Sequence, residues 1–349
     1  MSFANPTPLR PLAITAGDPA GIGPETIAML FRDAPGDLHG CFVVGDRAVL
    51  RRAAAIVAGD GPSIPVAEIA SPAEAPGLPG RCIPVLPVVV ARAVVPFGAV
   101  SAEAGRQAAE SVRWAARAAL RGEIAGLVTA PLHKEALHAA GESFPGHTEL
   151  LQAEAAAFQG RPVAEVPVRM MLANDELRTV LVSIHMALRD ALDAVTADSV
   201  LQTLRIAHRS LARMLGRPPR LGVAGLNPHA GEGGLFGQEE ILHIAPAIAA
   251  ARAEGIDATG PFAPDTVFMR ARSTAARPGE FDAVIAMYHD QGLIPVKYLG
   301  VEQGVNVTLG LPLVRTSPDH GTAFDIAGTG RADPSSLRAA VRMARVLAG

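Results

Sequence analysis

The chain has 349 residues, of which 49% are hydrophobic and 19% are charged, so it holds enough apolar material for two domains or one large one. Its formal net charge of −3 gives no electrostatic basis for binding nucleic acid or an anionic membrane, and its two cysteines, Cys41 and Cys82, are too few for a disulfide framework or a thiolate metal site. Because no run of 18 apolar residues marks a membrane span and the N-terminus lacks a signal-peptide pattern, we expect a cytoplasmic protein.

Short apolar runs alternate with longer segments of helical periodicity along the chain. Helices are predicted over 101–121, with Ser101 as the N-cap, over 194–215 and over 238–253. Residues 59–100, rich in Pro, Val and Gly, predict an irregular or antiparallel extension. Such alternation is typical of a doubly wound α/β fold with a largely parallel sheet. The predicted strands are 12–16, 41–45, 126–129, 168–172, 179–184, 220–224 and 283–287.

Histidines follow three of the predicted strands. His185 follows 179–184, His229 comes soon after 220–224, and His289 comes soon after 283–287. A single histidine in such a place is usually structural or merely exposed. The carboxyl ends of parallel strands lie along one edge of a sheet, so three imidazoles there form a candidate metal site. The spacings match no local metal motif, and both interpretations stay open on pattern alone.

Two further stretches are candidates for binding an anion. "FPGHTELL" places His147 and Thr148 just before a helical pattern, where free N–H groups and the helix dipole favour an anion, although ordinary capping by Thr148 is the simpler interpretation. In the Gly-rich region 297–330, Lys297 and Arg315 suit a phosphate or a carboxylate, with solvated surface cations as the alternative.

"GDPAGIGPE" (17–25) follows the first predicted strand. It lacks the G-x-G-x-x-G spacing of a dinucleotide fingerprint, and Pro24 stands where a helix would begin. It is therefore a weak cofactor signal, and a tight strand-to-helix turn explains it equally well.

Seven stretches between residue 14 and about residue 330 resemble the 4-hydroxythreonine-4-phosphate dehydrogenase family of pyridoxal phosphate biosynthesis, which includes dehydrogenases of four-carbon acid sugar phosphates. Several of the stretches are long and specific to the family. They are "ITAGDPAGIGPE", "PGHTELL", "RMMLANDELRTVLVSIHMALRDAL", "GLNPHAGEGGLFGQEE", "GPFAPDTVF", "AMYHDQGLIPVKYLG" and "GVNVTLGLPLVRTSPDHGTAFDIAGTG".

The resemblance implies a two-subdomain α/β fold like that of isocitrate and isopropylmalate dehydrogenases, with parallel or mixed sheets and an active-site cleft between the subdomains. On this basis we expect a first subdomain, 1–130 plus 295–349, that carries the nucleotide-binding loop, and a second, 131–294, that carries the metal ligands and dimer contacts. A homodimer with a shared active site is also implied. The segment 153–169 departs from the family by its length, which bears on oligomer or lid details.

The resemblance also implies the roles of individual residues. The ligands of a divalent metal (Zn, Mg, Co or Mn) would be His185, His229 and His289. NAD or NADP would bind at His320, Gly321, Thr322, Ala323 and Asp325. The substrate contacts would be His147, Thr148, Lys297, Asn306 and Arg315. The candidate catalytic residues are Asp265 and Lys297, with Asp290 as an alternative to Asp265.

The implied reaction is a metal-assisted, NAD(P)-linked oxidation of 4-hydroxythreonine 4-phosphate, followed by decarboxylation of the resulting β-keto acid. D-threonate or D-erythronate 4-phosphate is an alternative substrate, because the same residues would bind it. A terephthalate dihydrodiol dehydrogenase is disfavoured, since its substrate carries no phosphate and the phosphate-binding pattern is present. A non-catalytic metabolite sensor is disfavoured because neither a metal ligand nor the nucleotide loop is missing.

Overall fold

The computed structural model describes residues 10–92 and 95–349, which divide into two compact units. Unit one comprises the described residues up to Val166 together with Pro312–Ala348, and unit two comprises Pro167–Leu311. The α/β class predicted from the sequence is confirmed. Among the described residues, no helix combines the length and the apolar character that crossing a bilayer requires.

The described strands and helices alternate along most of the chain. The strands are β1 (Leu12–Thr15), β2 (Cys41–Val44), β3 (Val66–Glu68), β4 (Ile83–Leu86), β5 (Gly126–Thr129), β6 (Arg169–Ala173), β7 (Arg178–Leu181), β8 (Leu221–Ala224), β9 (Ala258–Phe262), β10 (Ala283–Ala286), β11 (Val305–Leu309) and β12 (Arg315–Pro318). The α-helices are α1 (Gly23–Asp33), α2 (Arg47–Ala58), α3 (Ala102–Leu120), α4 (Lys134–Ala139), α5 (His147–Gln159), α6 (Leu188–Ala194), α7 (Ala197–Leu215), α8 (Ala245–Ala253), α9 (Val267–Ala271), α10 (His289–Tyr298) and α11 (Ser335–Ala348). A π-helical turn, Glu240–Ile244, leads directly into α8.

Each predicted strand has a counterpart in the structure, with bounds that agree to within three residues. The helix predicted from Ser101 is α3, and the Ser101 hydroxyl accepts a hydrogen bond from the Ala104 N–H at 3.1 Å, as expected of an N-cap. The helix predicted over 194–215 is α7, and the one predicted over 238–253 is the π-helical turn together with α8.

The sheet of unit one is parallel, with the strand order β3-β4-β2-β1-β5-β12. The antiparallel arrangement considered for 59–100 is therefore wrong, because β3 pairs with β4 and β4 with β2 in parallel. The connection from Ile69 to Cys82, which includes the 3₁₀ turn Pro72–Gly77, is long enough for the crossover that a parallel pair requires.

The sheet of unit two is mixed, with the order β11-β6-β7-β10-β8-β9. The β11–β6 and β6–β7 pairs are antiparallel, whereas β7–β10, β10–β8 and β8–β9 are parallel. Leu181, Val284 and Val296 are fully buried in one apolar cluster of this unit. Burying each such side chain stabilises the folded state by about 1.5–3 kcal/mol. This packing holds the strands that lead into the site.

The unit boundaries lie later in the chain than predicted. Residues 131–166 belong to unit one, and residues 295–311 belong to unit two. The first segment is held by α5, whose Glu154 accepts a hydrogen bond from Arg117 of α3 at 2.8 Å. The second is held by the pairing of β11 with β6. The long segment 153–169 completes α5, and its 3₁₀ turn Val163–Glu165 lies beside that helix, with the Gln152 amide donating to the Val166 carbonyl at 2.8 Å.

Candidate active site

Three neighbouring strands of unit two each lead to a histidine. Strand β10 lies between β7 and β8 and is parallel to both, so the carboxyl ends of all three strands lie on one edge. The expectation that these strand ends share an edge is confirmed. His185, His289 and His229 follow β7, β10 and β8 in that order across the sheet.

The imidazoles of His185 and His289 lie side by side, with ring centroids 5.4 Å apart. His229 packs edge-on against Phe236 instead, at 6.1 Å. Within the described residues, no group of three His, Cys, Asp or Glu side chains comes together in an arrangement that could hold a metal ion. Two of the three predicted ligands, His185 and His289, are therefore neighbours, whereas the ring of His229 contacts a residue of its own loop.

The chemistry of these histidines nevertheless suits a metal. The His289 Nδ1 lies 2.7 Å from Asp290 Oδ1, and the His229 Nδ1 lies 3.1 Å from Glu232 Oε2. A carboxylate at one ring nitrogen orients a histidine and leaves Nε2 for a metal. The His229 side chain is 65% exposed, so its ring has room to rotate. The donor set fits a zinc-like divalent ion.

His229 lies in a left-handed turn formed by five consecutive residues, 229–233. Three of them are not glycine: His229, Ala230 and Glu232 have φ values of 54°, 53° and 43°. Each non-glycine residue in this conformation costs about 1–2 kcal/mol. Strain of this kind persists only where surrounding contacts enforce it, and it is concentrated at functional sites.

Hydrogen bonds join the ends of the three strands. The Ser183 hydroxyl donates to the Met287 carbonyl at 2.9 Å, which links the residues after β7 and β10. The Gln291 side-chain oxygen accepts from the Met287 N–H at 2.6 Å, and its amide donates to the Gly225 carbonyl at 2.8 Å. These bonds hold the backbones that carry the three histidines in register.

An open cleft of about 690 Å³ lies in unit two beside these strand ends. His229, Asp265, Tyr288, Asp290 and Tyr298 are among its lining residues. Both Asp265 and Asp290 are exposed, so the structure brings the two alternative catalytic carboxylates into one cleft with a predicted metal ligand.

Two residues of unit two that are predicted to bind the substrate do not line this cleft. Lys297 is exposed in the last turn of α10, and Asn306 is half-buried on β11. Neither is among the residues that line the cleft.

In unit one, the N-terminus of α5 lies beside a buried arginine. Helix α5 begins at His147 after Gly146 with no side-chain cap, so the capping role considered for Thr148 is absent. Arg315 is 4% exposed and donates to the Thr129 hydroxyl from Nε and Nη2, at 3.2 and 2.9 Å. Burial lowers the pKa of Arg315 to about 10, against the opposing influence of Glu149.

The His147 ring is poised to receive a ligand. Burial, together with the positive charge of Arg315, lowers the pKa of His147 well below its usual 6.5, although a hydrogen bond to the Ala130 backbone opposes this shift. The ring Nε2 is buried and has no hydrogen-bond partner among the described residues. An anion at the uncapped start of α5 would match the positive charge of Arg315 and the dipole of the helix.

The predicted cofactor loop follows β12 and packs on the turn between β1 and α1. The Ile22 N–H donates to the Thr322 carbonyl at 3.0 Å, and a Cβ on Gly21 would lie 2.8 Å from that same oxygen. The buried Glu25 carboxylate accepts from the Gly328 and Gly330 N–H groups. Helix α1 begins at Gly23 with Pro24 in its first turn, so "GDPAGIGPE" is a strand-to-helix turn that supports the loop.

The loop itself has features of a ligand-binding segment. The His320 Nδ1 lies 3.0 Å from the Gly321 carbonyl, while its Nε2 is buried without a hydrogen-bond partner among the described residues. Ala323 is left-handed at φ 42°, and the next residue, Phe324, stacks on His133 with centroids 4.7 Å apart. Asp325 is exposed. An orphaned imidazole nitrogen and a strained residue fit a loop that receives a polar cofactor.

Sequence reasoning missed Glu232 and Glu240. Glu232 lies beside the ring of His229, and Glu240 holds the backbone before the left-handed turn. Both lie within the quoted stretch "GLNPHAGEGGLFGQEE". Its unusual run of Gly and Glu after a strand was the available signal.

Comparisons with known proteins agree on one family, although the relatives are named for two different substrates. The model of the family described as pyridoxal phosphate biosynthetic protein PdxA matches residues 37–344. A 4-hydroxythreonine-4-phosphate dehydrogenase of Beijerinckia indica is 54% identical over 95% of this chain and 93% of its own length. A D-threonate 4-phosphate dehydrogenase of Pectobacterium atrosepticum is 45% identical over 97% of this chain and 99% of its own.

A solved structure has the same fold as this chain. The crystal structure of a Klebsiella pneumoniae 4-hydroxythreonine-4-phosphate dehydrogenase superposes with a TM-score of 0.84 at 43% identity, covering 97% of this chain and all of that one. The fold and the relatives define a class of α/β dehydrogenases. Within that class, the chain belongs to the PdxA family, that of 4-hydroxythreonine-4-phosphate dehydrogenase.

Proposed function

We propose that this protein catalyses the metal-dependent, NAD(P)-linked oxidation of 4-hydroxythreonine 4-phosphate, with decarboxylation of the β-keto acid. The observation that carries the proposal is the row of three adjacent parallel strands that each run into a histidine, two of whose rings lie 5.4 Å apart. The names of relatives with 54% and 45% identity supply the substrate class.

His185, His229 and His289 would hold a divalent ion in unit two. Bound there, the ion would supply Lewis acidity to a substrate hydroxyl and to the ketone formed from it. Asp290 and Glu232 orient the imidazoles of His289 and His229 through Nδ1. Asp265, exposed in the same cleft, is the proposed proton acceptor, and Lys297 a further catalytic group.

The anionic ends of the substrate would be bound by two sets of residues. In unit one these are His147, Thr148 and Arg315, where the uncapped helix start and the buried guanidinium supply positive charge. In unit two they are Lys297 and Asn306. NAD or NADP would bind at His320, Gly321, Thr322, Ala323 and Asp325 and supply the hydride acceptor. We also propose that the protein is cytoplasmic and that the metal is Zn, Mg, Co or Mn.

A homodimer with a shared active site is also part of the proposal. Exposed apolar side chains follow two of the proposed metal ligands in the chain: Met186 and Leu188 come after His185, and Leu235 and Phe236 after His229. Apolar side chains of this size in water favour a covering partner. Light scattering should show a dimer for the wild type, a shift towards monomer for Leu235→Asp, and no shift for Val346→Asp, which charges an exposed position on α11. A wild-type monomer would contradict this part.

A substrate panel tests the proposed reaction. Purified protein with a divalent metal and NAD+ or NADP+ would be assayed on 4-hydroxythreonine 4-phosphate and on D-threonate and D-erythronate 4-phosphates. We expect the highest kcat/KM for the first compound. A kcat/KM that is tenfold higher for a sugar acid phosphate would replace the proposed substrate, and no turnover of any of the three would reject the reaction.

A further inference from the structure

Glu240 is a buried acidic residue at the start of the π-helical turn, only 3% exposed. A carboxylate taken out of water is costly unless hydrogen bonds compensate it, so the groups it binds indicate what it does. Isolated π-helical turns inside helices are also frequent at functional sites. Glu240 therefore merits an explanation that its burial alone does not give.

All hydrogen bonds described for the Glu240 carboxylate come from two residues just before the left-handed turn. Its Oε1 accepts from the Leu226 N–H and the Asn227 N–H, each at 2.7 Å. Its Oε2 accepts from the Asn227 side-chain amide at 2.9 Å. That amide also donates to Glu239 at 2.7 Å. Three donors thus fix the segment between the end of β8 and His229.

The left-handed turn itself packs closely around the same carboxylate. A Cβ added to Gly231 would lie 2.7 Å from Glu240 Oε2. A Cβ added to Gly225 would lie 2.9 Å from the Ala230 Cα and 3.0 Å from Glu240 Oε1. Since His229, Ala230 and Glu232 are held in an unfavourable backbone conformation, contacts outside the turn must stabilise it, and the close packing of Gly231 on the Glu240 carboxylate is one such contact.

We propose that Glu240 is a positioning residue that fixes the backbone of the left-handed turn and thereby presents His229 as a metal ligand. The inference rests on the proposed function, because it takes His229 to bind the metal. Glu240 restrains the backbone before the turn, whereas the ring of His229 is exposed and is contacted by Glu232. Charge-assisted bonds from backbone N–H groups suit this role.

The test compares Glu240→Ala and Glu240→Gln with the wild type in the full-length protein. Binding of Co²⁺ alone, without substrate, would be measured by isothermal titration calorimetry. Tm would be measured by differential scanning calorimetry. We expect Glu240→Ala to weaken Co²⁺ binding about 100-fold and Glu240→Gln about tenfold, the range typical of groups that support metal ligands. The smaller loss for Gln follows because its carbonyl oxygen still accepts from both backbone N–H groups.

Two further variants separate positioning from general destabilisation. Ile248→Ala removes a side chain that is 2% exposed on α8, so it should lower Tm while leaving the Co²⁺ dissociation constant within twofold of the wild type. Saturating metal should restore most of kcat in Glu240→Gln, whereas KM for NAD(P)+ should not change. His229→Ala is the reference that should abolish the high-affinity site.

The outcomes are distinguishable. If Co²⁺ affinity depends on His229 but is unchanged in both Glu240 variants, or falls equally in Ile248→Ala, the positioning role is overturned and the proposed function stands. If His229→Ala binds Co²⁺ as the wild type does, the proposed metal site is wrong. Should Glu240→Ala not fold, an unchanged affinity in Glu240→Gln still overturns the positioning role.

Discussion

The side-chain amide of Gln291 donates a hydrogen bond to the Gly225 carbonyl over 2.8 Å and so joins the residues that follow β10 and β8. The same side chain accepts from the Met287 N–H at 2.6 Å. In Gln291→Ala, the Gly225 carbonyl and the Met287 N–H lose this partner. We expect the free energy of unfolding of unit two to fall by about 1–3 kcal/mol, measured by urea denaturation.

The control for this prediction is Gln303→Ala, which alters an exposed glutamine of the same unit. Its effect should stay within about 0.5 kcal/mol, as is usual for surface positions. Equal stability of the two variants would mean that the Gln291 bonds are replaced by water at no cost.

Arg315 is predicted to bind an anionic end of the substrate. Arg315→Lys keeps a positive charge but loses the planar pair of donors that contacts Thr129, so it cannot reproduce the geometry of the guanidinium. We expect KM for the phosphorylated substrate to rise about 10- to 100-fold, corresponding to one charge-assisted hydrogen bond. Arg121→Lys, at an exposed arginine paired with Glu123, should leave KM unchanged. KM would be measured by steady-state kinetics. Equal KM values for Arg315→Lys and the wild type would show that Arg315 does not bind the substrate.

The lowered pKa of His147 predicts a pH dependence of stability. Its pKa lies well below 6.5 in the folded protein, so below about pH 6.5 the unfolded chain binds a proton that the folded protein does not. The stability of unit one is therefore complete above this pH and declines as the pH falls towards the folded pKa, by at most about 1.4 kcal/mol per pH unit. Denaturation of His147→Gln between pH 7.5 and 5.5 should show a shallower decline.

His39→Gln, which also replaces a histidine by glutamine but at an exposed position, is the matched control. The same slope in His147→Gln and the wild type would show that His147 takes up a proton as readily in the folded protein as in the unfolded chain.

A substitution at Gly17, in the turn after β1, tests whether the backbone conformation of this turn is required for stability. Its φ is +72°, and a Cβ there would lie 2.4 Å from the Pro131 carbonyl oxygen. Gly17→Ala should destabilise unit one by at least about 2 kcal/mol, from left-handed strain and overpacking together. Gly36→Ala, where a Cβ meets nothing within 4 Å, should be nearly neutral. Thermal unfolding of the two variants gives the comparison, and similar Tm values would contradict it.

Much of this architecture follows from local pattern. The seven predicted strands were recognisable because each is a short apolar run, and the three histidines were recognisable because each follows such a run. The strands β3, β4, β9, β11 and β12 escaped prediction because none of them is an uninterrupted apolar run: each contains a polar residue, Pro or Gly. They are defined by their pairing partners instead. The unit boundaries were misplaced for a similar reason: the contacts of α5 with α3 and of β11 with β6 join segments distant in sequence.

The sequence by itself determined that apolar strands alternate with helices, that a histidine follows each of three strands, and that the motifs are those of the PdxA family. These are properties of residue order and composition. Only the tertiary structure decided that β10 lies between β7 and β8, that His185 and His289 are neighbours while His229 sits in a left-handed turn, and that Glu240 and Gln291 hold the backbones of that edge. Strand order and buried hydrogen bonds depend on which distant segments pack together, and the periodicity of a single segment carries no information about its partners.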